Sequence, residues 1–568
     1  MNHPFPIVNA TMELTDCRER WSFDEAHRCW CLEDILYTAR ATTPKFQRMS
    51  IFVPAAYLRA DGSIRKDGRM GCFTAQSAPV VFENNSAGYM QMPHTWLGGP
   101  RDEAGKYLAR GMIYVTCGCR GRESRDADGR LCAKSPWTLV DLKTAIRFLR
   151  HNAAALPGNL DQIISVGWSA GGAMSSLIGL TGDDPRYLPY LEQNGAFLEE
   201  SDAVYAAQIY CPIVDLDHAD LAYEWQFRCD PENESSHAGP AGTMTPFQTA
   251  LSGKLAAAYI RYFNGLKLRH PETGAPLTLH EDGRSGTGYD YLMGLLERSA
   301  EDYLTRLDAG TLPLRCTSGA YLAGDYTRRI PAPRPSAPPR DDIGLHHAGA
   351  AVALSPADDP DRPSSLGDLL SRPPEGTPYK GHEPPMTDAP GTDKRAWLSW
   401  DGTRARITSL DDYILNHRRR MKPCTSFDTL GMDSGENQVF GTPERDYMHF
   451  SELIAPAIAE LREEFPAEYA RTYRAYAGVA GDEALARRRF LLNPMNFIDS
   501  ELSASADHFR IRVGACDADT ALTVSMALAL KLKNAGRDVD YALVWDMPHC
   551  EADYPSEVCD WIERICGK

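Results

Sequence analysis

The stretch that most constrains this chain is residues 162–180, QIISVGWSAGGAMSSLIGL. Ile163, Ile164 and Val166 form a β-branched run of the kind that favours a buried strand. A tight Gly167-Trp168-Ser169-Ala170-Gly171 corner follows, and then a run of small residues that reads as a helix. Strand, sharp turn and helix with Ser169 at the apex is the setting of a strained turn that presents a serine hydroxyl. The glycines stand where a side chain would block such a turn, and Gly172 lets the helix pack closely on its neighbour. An ordinary Gly-rich strand-to-helix turn satisfies the same local pattern, so the surrounding chain has to decide.

That chain alternates. Residues 48–53 (RMSIFV), 78–82 (APVVF), 111–117 (GMIYVTC) and 203–213 (AVYAAQIYCPI) read as strands. A helix is predicted over 138–152, its apolar face repeating at Leu139, Leu142, Ile146 and Leu149. The pattern implies a mostly parallel, doubly wound sheet. Residues 215–497 break the rhythm and read as helical or irregular, and fourteen of the 39 prolines fall within 331–390. A segment of that composition cannot bury enough apolar surface to order itself, so a mobile insertion is expected there. Strands return at 508–514 (HFRIRVG) and 539–545 (VDYALVW), with helices over 520–535 and 556–566. The expected architecture is α/β: an α/β-hydrolase fold built from 1–214 and 498–568, carrying a large, mainly helical lid domain over 215–497. The first 45 residues read as an extension with a short amphipathic helix at 24–39.

Composition narrows the function classes. With 43% hydrophobic and 24% charged residues and a mean hydropathy of −0.38, the chain reads as a soluble globular protein. A net charge of −17 argues against nucleic acid or an anionic membrane as a partner. There is no apolar run of 18 residues, and the first residues lack the basic start and apolar stretch of a secretory signal. Fifteen scattered cysteines suit reduced thiols in a cytoplasmic protein, and the C-x2-C spacing of a metal site is absent. The expectation is a cytoplasmic protein with a small-molecule partner and no cofactor or metal.

A serine needs an adjacent base to become a nucleophile, and that base needs a carboxylate to orient it. Among the 15 histidines, His549 sits in the loop after the last predicted strand, and Asp517 just past the preceding one. Parallel strands open their C-terminal ends on one edge, which would bring both loops to Ser169. Asp519, Asp215 and Asp217 stand as competing acids. An oxyanion would be met by the N–H of Ala170 and that of Ala87 or Gly88, in the polar loop after the strand at 78–82.

These residues resemble the bacterial tannases (tannin acyl hydrolases), subtype B. The likeness lies in VGWSAGG, residues 84–90, residues 136–152, residues 422–442, residues 493–499 and the Asp517-x-Asp519 pair. It implies an esterase that cleaves galloyl esters through a Ser169, Asp517 and His549 triad. It also implies that Lys422, Glu436 and Asp519 hold the galloyl hydroxyls; without it, Lys422 and Glu436 read as a surface ion pair. A feruloyl or general aryl esterase with the same triad is the alternative, and Lys422, Glu436 and Asp519 discriminate, since a ferulate methoxy group cannot donate to a carboxylate. A binding protein or peptidase on the same fold also stays open. Two departures stand out: the Pro-rich stretch is extra length, and the Cys pair that flanks the Ser and His in the fungal tannase and feruloyl esterase group is incomplete, since Cys550 follows His549 but Trp168 precedes Ser169. Cys516 precedes Asp517, so a Cys516–Cys550 bridge across the acid and base loops is conceivable.

Overall fold

A computed structural model of the chain describes residues 12–15, 20–98, 103–233, 241–311, 319–322, 325–331 and 397–567. The Pro-rich segment expected to be mobile thus lies, after its first residue, outside the described residues.

The centre is a nine-stranded sheet. In chain order its strands are β1 (Ser22–Asp24), β2 (Cys29–Leu36), β3 (Arg48–Pro54), β4 (Pro79–Asn84), β5 (Ile113–Cys117), β6 (Asn159–Trp168), β7 (Ala206–Tyr210), β8 (His508–Gly514) and β9 (Asp538–Val544). In space they run β1-β2-β3-β5-β4-β6-β7-β8-β9. From β5 to β9 every pairing is parallel, while β1, β2 and β3 add antiparallel strands at one edge. β4, β5 and β7 are buried at every residue, as strands covered by helices on both faces must be.

The helix expected over 24–39 is instead the β1–β2 hairpin at the sheet edge. The reason is a bulge. The register with β3 shifts between Leu32 and Ile35, around Asp34 at φ 60°. That extra residue sets Leu32, Ile35 and Leu36 at spacings of three and four, which in sequence imitate a helix.

Helix α1 (Trp137–His151) carries the expected apolar residues, but its polar side is buried too. Asp141 pairs with Arg120 at 2.6 Å, and Lys143 and Arg147 meet Asp202 at 2.5 and 2.6 Å. Buried charges persist only when paired in this way. Helix α2 (Ala170–Leu180) follows the Gly167–Gly171 corner. A Cβ on Gly172 would lie 2.4 Å from the Tyr210 carbonyl oxygen, so glycine there allows α2 to press on the end of β7.

The chain leaves the sheet after β7 and returns at β8, its immediate neighbour. In between come α3 (Leu216–Phe227), α4 (Pro246–Gly265), α5 (Thr287–Asp308), α6 (Leu410–Asn416), α7 (Gly435–Val439), α8 (Pro466–Ala477) and α9 (Glu483–Leu492), with three two-stranded ribbons. Two helices finish the sheet domain, α10 (Leu522–Asn534) and α11 (Glu557–Cys566). No helix among the described residues is long and apolar enough to cross a membrane.

Candidate active site

Ser169 stands at φ 59°, ψ −126°, between β6 and α2. A non-glycine residue in this region stores roughly 1–3 kcal/mol of strain, which the surroundings must hold in place. They do so on both sides. The Ser169 N–H donates to the Tyr210 carbonyl at 3.0 Å, and the Ile213 N–H donates to the Ser169 carbonyl at 3.2 Å. From the other side the Asn84 amide donates to the carbonyls of Val166 (3.0 Å) and Gly171 (3.2 Å) and to Ser175 Oγ (2.9 Å). Its own oxygen accepts from Ser86 Oγ at 2.8 Å. Asn84 therefore clamps the turn from the end of β4, and a Cβ on Gly167 would lie 2.4 Å from its amide nitrogen.

His549 Nε2 lies 2.8 Å from Ser169 Oγ, and His549 Nδ1 lies 2.8 Å from Asp517 Oδ2. Asp517 is buried beyond the end of β8 and His549 beyond the end of β9. The two loops touch directly, since the Cys516 N–H donates to the Met547 carbonyl at 2.9 Å. Burial disfavours the imidazolium of His549, yet the Asp517 carboxylate, with Cys211 and Asp519 beyond it, outweighs burial and raises His549 well above the ordinary imidazole range. Of the competing acids, Asp215 and Asp217 lie elsewhere. Asp215 accepts from Tyr262 at 2.5 Å and Asn493 at 2.8 Å and faces His218 Nδ1 at 2.8 Å, while Asp217 pairs with Arg489 at 3.4 Å.

Ala170 opens α2, so its N–H is one of those that a helix start leaves without an intrahelical acceptor. Ala87 and Gly88 lie in the single 3-10 turn Ala87–Tyr89, with Gly88 at φ 63°. Tyr89 anchors this turn across the site by donating to the Ile213 carbonyl at 2.7 Å. Ala87 also packs with Met90, Met92 and the Trp168 ring.

Asp519 is buried, its Oδ2 3.9 Å from His549 Nδ1, and its N–H donates to Asp517 Oδ1 at 2.8 Å. Lys422 is 6% exposed, with its ammonium 4.0 Å from the Phe427 ring centre. It is not a surface ion-pair lysine. Its segment is fixed by Tyr223, whose hydroxyl accepts the N–H groups of Met421 (3.0 Å) and Lys422 (2.9 Å) and donates to the Ala518 carbonyl (3.0 Å). One hydroxyl thus ties the lysine loop to the loop of Asp517 and Asp519. Glu436, half-buried on α7, stands close enough to Tyr89 and Arg122 for its charge to act on both. Gly435 lies against the Arg122 guanidinium, where a Cβ would be 2.0 Å from Nη1.

Three contributors escaped the sequence reading. Asn84 reads in sequence as part of a polar loop but is the last residue of β4, and nothing local marks it as a clamp. Tyr223 sits on α3, far in sequence from both loops that it joins. Cys211, buried at φ 34°, has its sulfur within 4.8 Å of ligand atoms of Asp517 and His549, and burial pushes its thiol up. All thirteen cysteines among the described residues are free thiols, Cys516 and Cys550 included, so the conceivable bridge between those two is not formed. Among the described residues, two groups bring metal-ligating atoms within 4.8 Å of one another: Cys211 with Asp517 and His549, and His417 with Cys516 and Asp546.

A family model described as BD-FAE matches residues 128–231, which include Ser169. Esterase LipC of Mycobacterium tuberculosis is 32% identical over 98 residues, 17% of this chain and 21% of that protein. Esterase LipQ of the same organism is 35% identical over 89 residues, 16% of this chain and 20% of that protein. The chain thus matches about a fifth of the length of these curated relatives. Likeness in structure reaches much further. The tannin acyl hydrolase from Lactobacillus plantarum superposes with a TM-score of 0.69 at 27% identity, covering 95% of this chain and 94% of that one. The tannase of Fusobacterium nucleatum gives 0.68 at 26% identity, covering 95% of each. Over nearly its whole length, then, the chain is similar to the bacterial tannases, and it carries the α/β fold of a carboxylic ester hydrolase.

Proposed function

We propose that the protein is a serine esterase that cleaves galloyl esters, releasing gallic acid through an acyl-enzyme. The observation that carries this reading is the line Ser169 Oγ, His549, Asp517, with 2.8 Å at each step and the Asp519 carboxylate beside the same imidazole. In the proposed reaction Ser169 Oγ attacks the ester carbonyl carbon while His549 Nε2 takes its proton. The oxyanion is met by the N–H of Ala170 and that of Gly88 or Ala87. Collapse expels the alcohol, which leaves with the proton from His549. Water then attacks the acyl-enzyme by the same base and frees the acid. Asp517 holds the imidazole in the tautomer that presents a bare Nε2 to Ser169.

The galloyl assignment rests on the polar trio. A trihydroxyphenyl ring presents three hydroxyls on one edge, which two carboxylates and an ammonium can engage together. A site built to hydrogen-bond hydroxyls rejects rings lacking them by large factors, since its own polar groups are then left unpaired. The buried side chains of Lys422 and Asp519, on loops whose backbones the Tyr223 hydroxyl joins, support this reading. So do structures of a tannin acyl hydrolase in complex with 3,4-dihydroxybenzoate and with ethyl gallate, to which the chain is similar. The alternative is a feruloyl or general aryl esterase with the same triad. Wild type and Glu436→Ala, each assayed with methyl gallate and methyl ferulate, separate the two. Selective turnover of gallate that collapses in the variant is expected. Equal turnover of both esters, untouched by the substitution, would leave the aryl esterase.

A further inference from the structure

Behind the two loops that carry Asp517 and His549 lies a second polar cluster with no part in the proposed chemistry. His417 caps the C-terminal end of α6, Cys516 follows β8, and Asp546 follows β9. All three are buried, and a ligand atom from each lies within 4.8 Å of the others. His417 Nε2 is 3.0 Å from Cys516 Sγ. Aromatic rings fix the imidazole: Trp545 stacks on it at 4.3 Å and 19°, and Tyr413 and Trp397 stand 5.2 and 5.6 Å away. The Tyr303 hydroxyl donates to Asp546 Oδ2 at 3.4 Å, and the Tyr413 hydroxyl donates to the Ala515 carbonyl.

We propose that His417, Cys516 and Asp546 form a structural site for a thiophilic divalent cation such as zinc. An imidazole, a thiolate and a carboxylate are the three donor kinds that zinc takes up, and a fourth, tetrahedral position would be filled by water. Zn–S and Zn–N bonds of about 2.3 and 2.0 Å put sulfur and nitrogen about 3.5 Å apart. His417 and Cys516 would therefore separate by roughly half an ångström from their hydrogen-bonded spacing. As the Zn–S bond forms, the Cys516 thiol gives its proton to solvent and its contact with Nε2 is replaced by two bonds to the metal. The aromatic box supplies the ring orientation that partners behind a ligand normally provide. The three ligands come from the inserted region, the acid loop and the base loop, so a bound ion would staple all three together. The other cluster, around Cys211, is part of the candidate active site, which makes it the natural control.

The test uses the full chain, stripped with a chelator and titrated with Co²⁺ and then Zn²⁺. One equivalent of Co²⁺ is expected to bind with a near-ultraviolet thiolate band, to be displaced by Zn²⁺, and to raise the melting temperature. Cys516→Ala should abolish the band, and both Cys516→Ala and His417→Gln should weaken Zn²⁺ binding by about 100-fold or more. Cys211→Ala should leave the band and the affinity unchanged. The proposal is overturned if no stoichiometric binding occurs. It is equally overturned if the band survives Cys516→Ala, or disappears in Cys211→Ala. Should Cys516→Ala not fold, His417→Gln with an unaltered Zn²⁺ affinity overturns it alone.

Discussion

Ser169 Oγ and His549 Nε2 lie 2.8 Å apart although 380 residues separate them in the chain. β6 and β9 carry them to the same edge of the sheet, and Asp517 completes the line from β8 between. If this line is the catalytic one, Asp517→Asn should preserve the fold and cut kcat by about 10⁴-fold, because the amide favours the wrong imidazole tautomer. Ester hydrolysis and circular dichroism measured on the same preparation check this. A loss below tenfold would transfer the acid's role to another carboxylate.

The raised pKa of His549 sets the direction of the pH dependence. The base must be neutral to take the Ser169 proton, and a raised pKa keeps it protonated to higher pH. The acid limb of kcat/KM is therefore expected above the ordinary imidazole value of about 6.5. Asp519 is one of the charges holding it up, so Asp519→Asn should move the limb to lower pH. Stability follows the same sign. The contribution of His549 is fully present below the unfolded imidazole pKa and is lost as pH rises through the folded one. Melting temperatures across that range should fall with pH in wild type and fall less in Asp519→Asn.

Asn84 spends its side chain on the strained turn rather than on substrate. Asn84→Ala removes the donor shared by two carbonyls and a hydroxyl, and leaving such buried groups unmet costs about 1–3 kcal/mol. The turn should relax enough to lower kcat by up to about 100-fold with KM little changed. Urea unfolding paired with steady-state kinetics tests both halves. A variant with full activity would show that β6 and α2 hold the turn unaided.

The lysine loop hangs on a buried ion pair. Arg420 and Glu224 are both fully buried, and Arg420 Nη1 also donates to the Lys422 carbonyl at 3.2 Å. Arg420→Met strands the Glu224 carboxylate and should cost about 3–5 kcal/mol. It should also raise KM for methyl gallate. Adding Glu224→Leu should recover most of the stability, since the stranded charge is then gone. KM should stay high, because the hydrogen bond to the loop is not restored.

Much of this could be read from the sequence because it is local. Ser169 announces itself through the glycines on either side, and Asp517 and His549 through their places after short buried strands. What escaped reading depends on partners distant in the chain. The polar face of α1 looks solvent-directed until Asp202 and Arg120 are brought to it. The β1–β2 edge imitated a helix because one bulge changed its apolar spacing. Tyr223 offers no signal at all, since its value lies in the two backbone segments that meet at its hydroxyl.

The excursion between β7 and β8 leaves and rejoins the sheet at neighbouring strands, with Ala206 opposite His508. Closing such an excursion costs only slowly more as it lengthens. Sequence can be gained or lost there without shifting the pairing of any sheet strand. On the proposed reading, two of the three ring-holding residues, Lys422 and Glu436, lie within the excursion. Asp519 and the proposed triad of Ser169, Asp517 and His549 lie outside it, so part of the ring grip can change in evolution while the bond-breaking groups stay. A lineage of such proteins could exchange one aromatic ester for another while its cleavage machinery stayed in place.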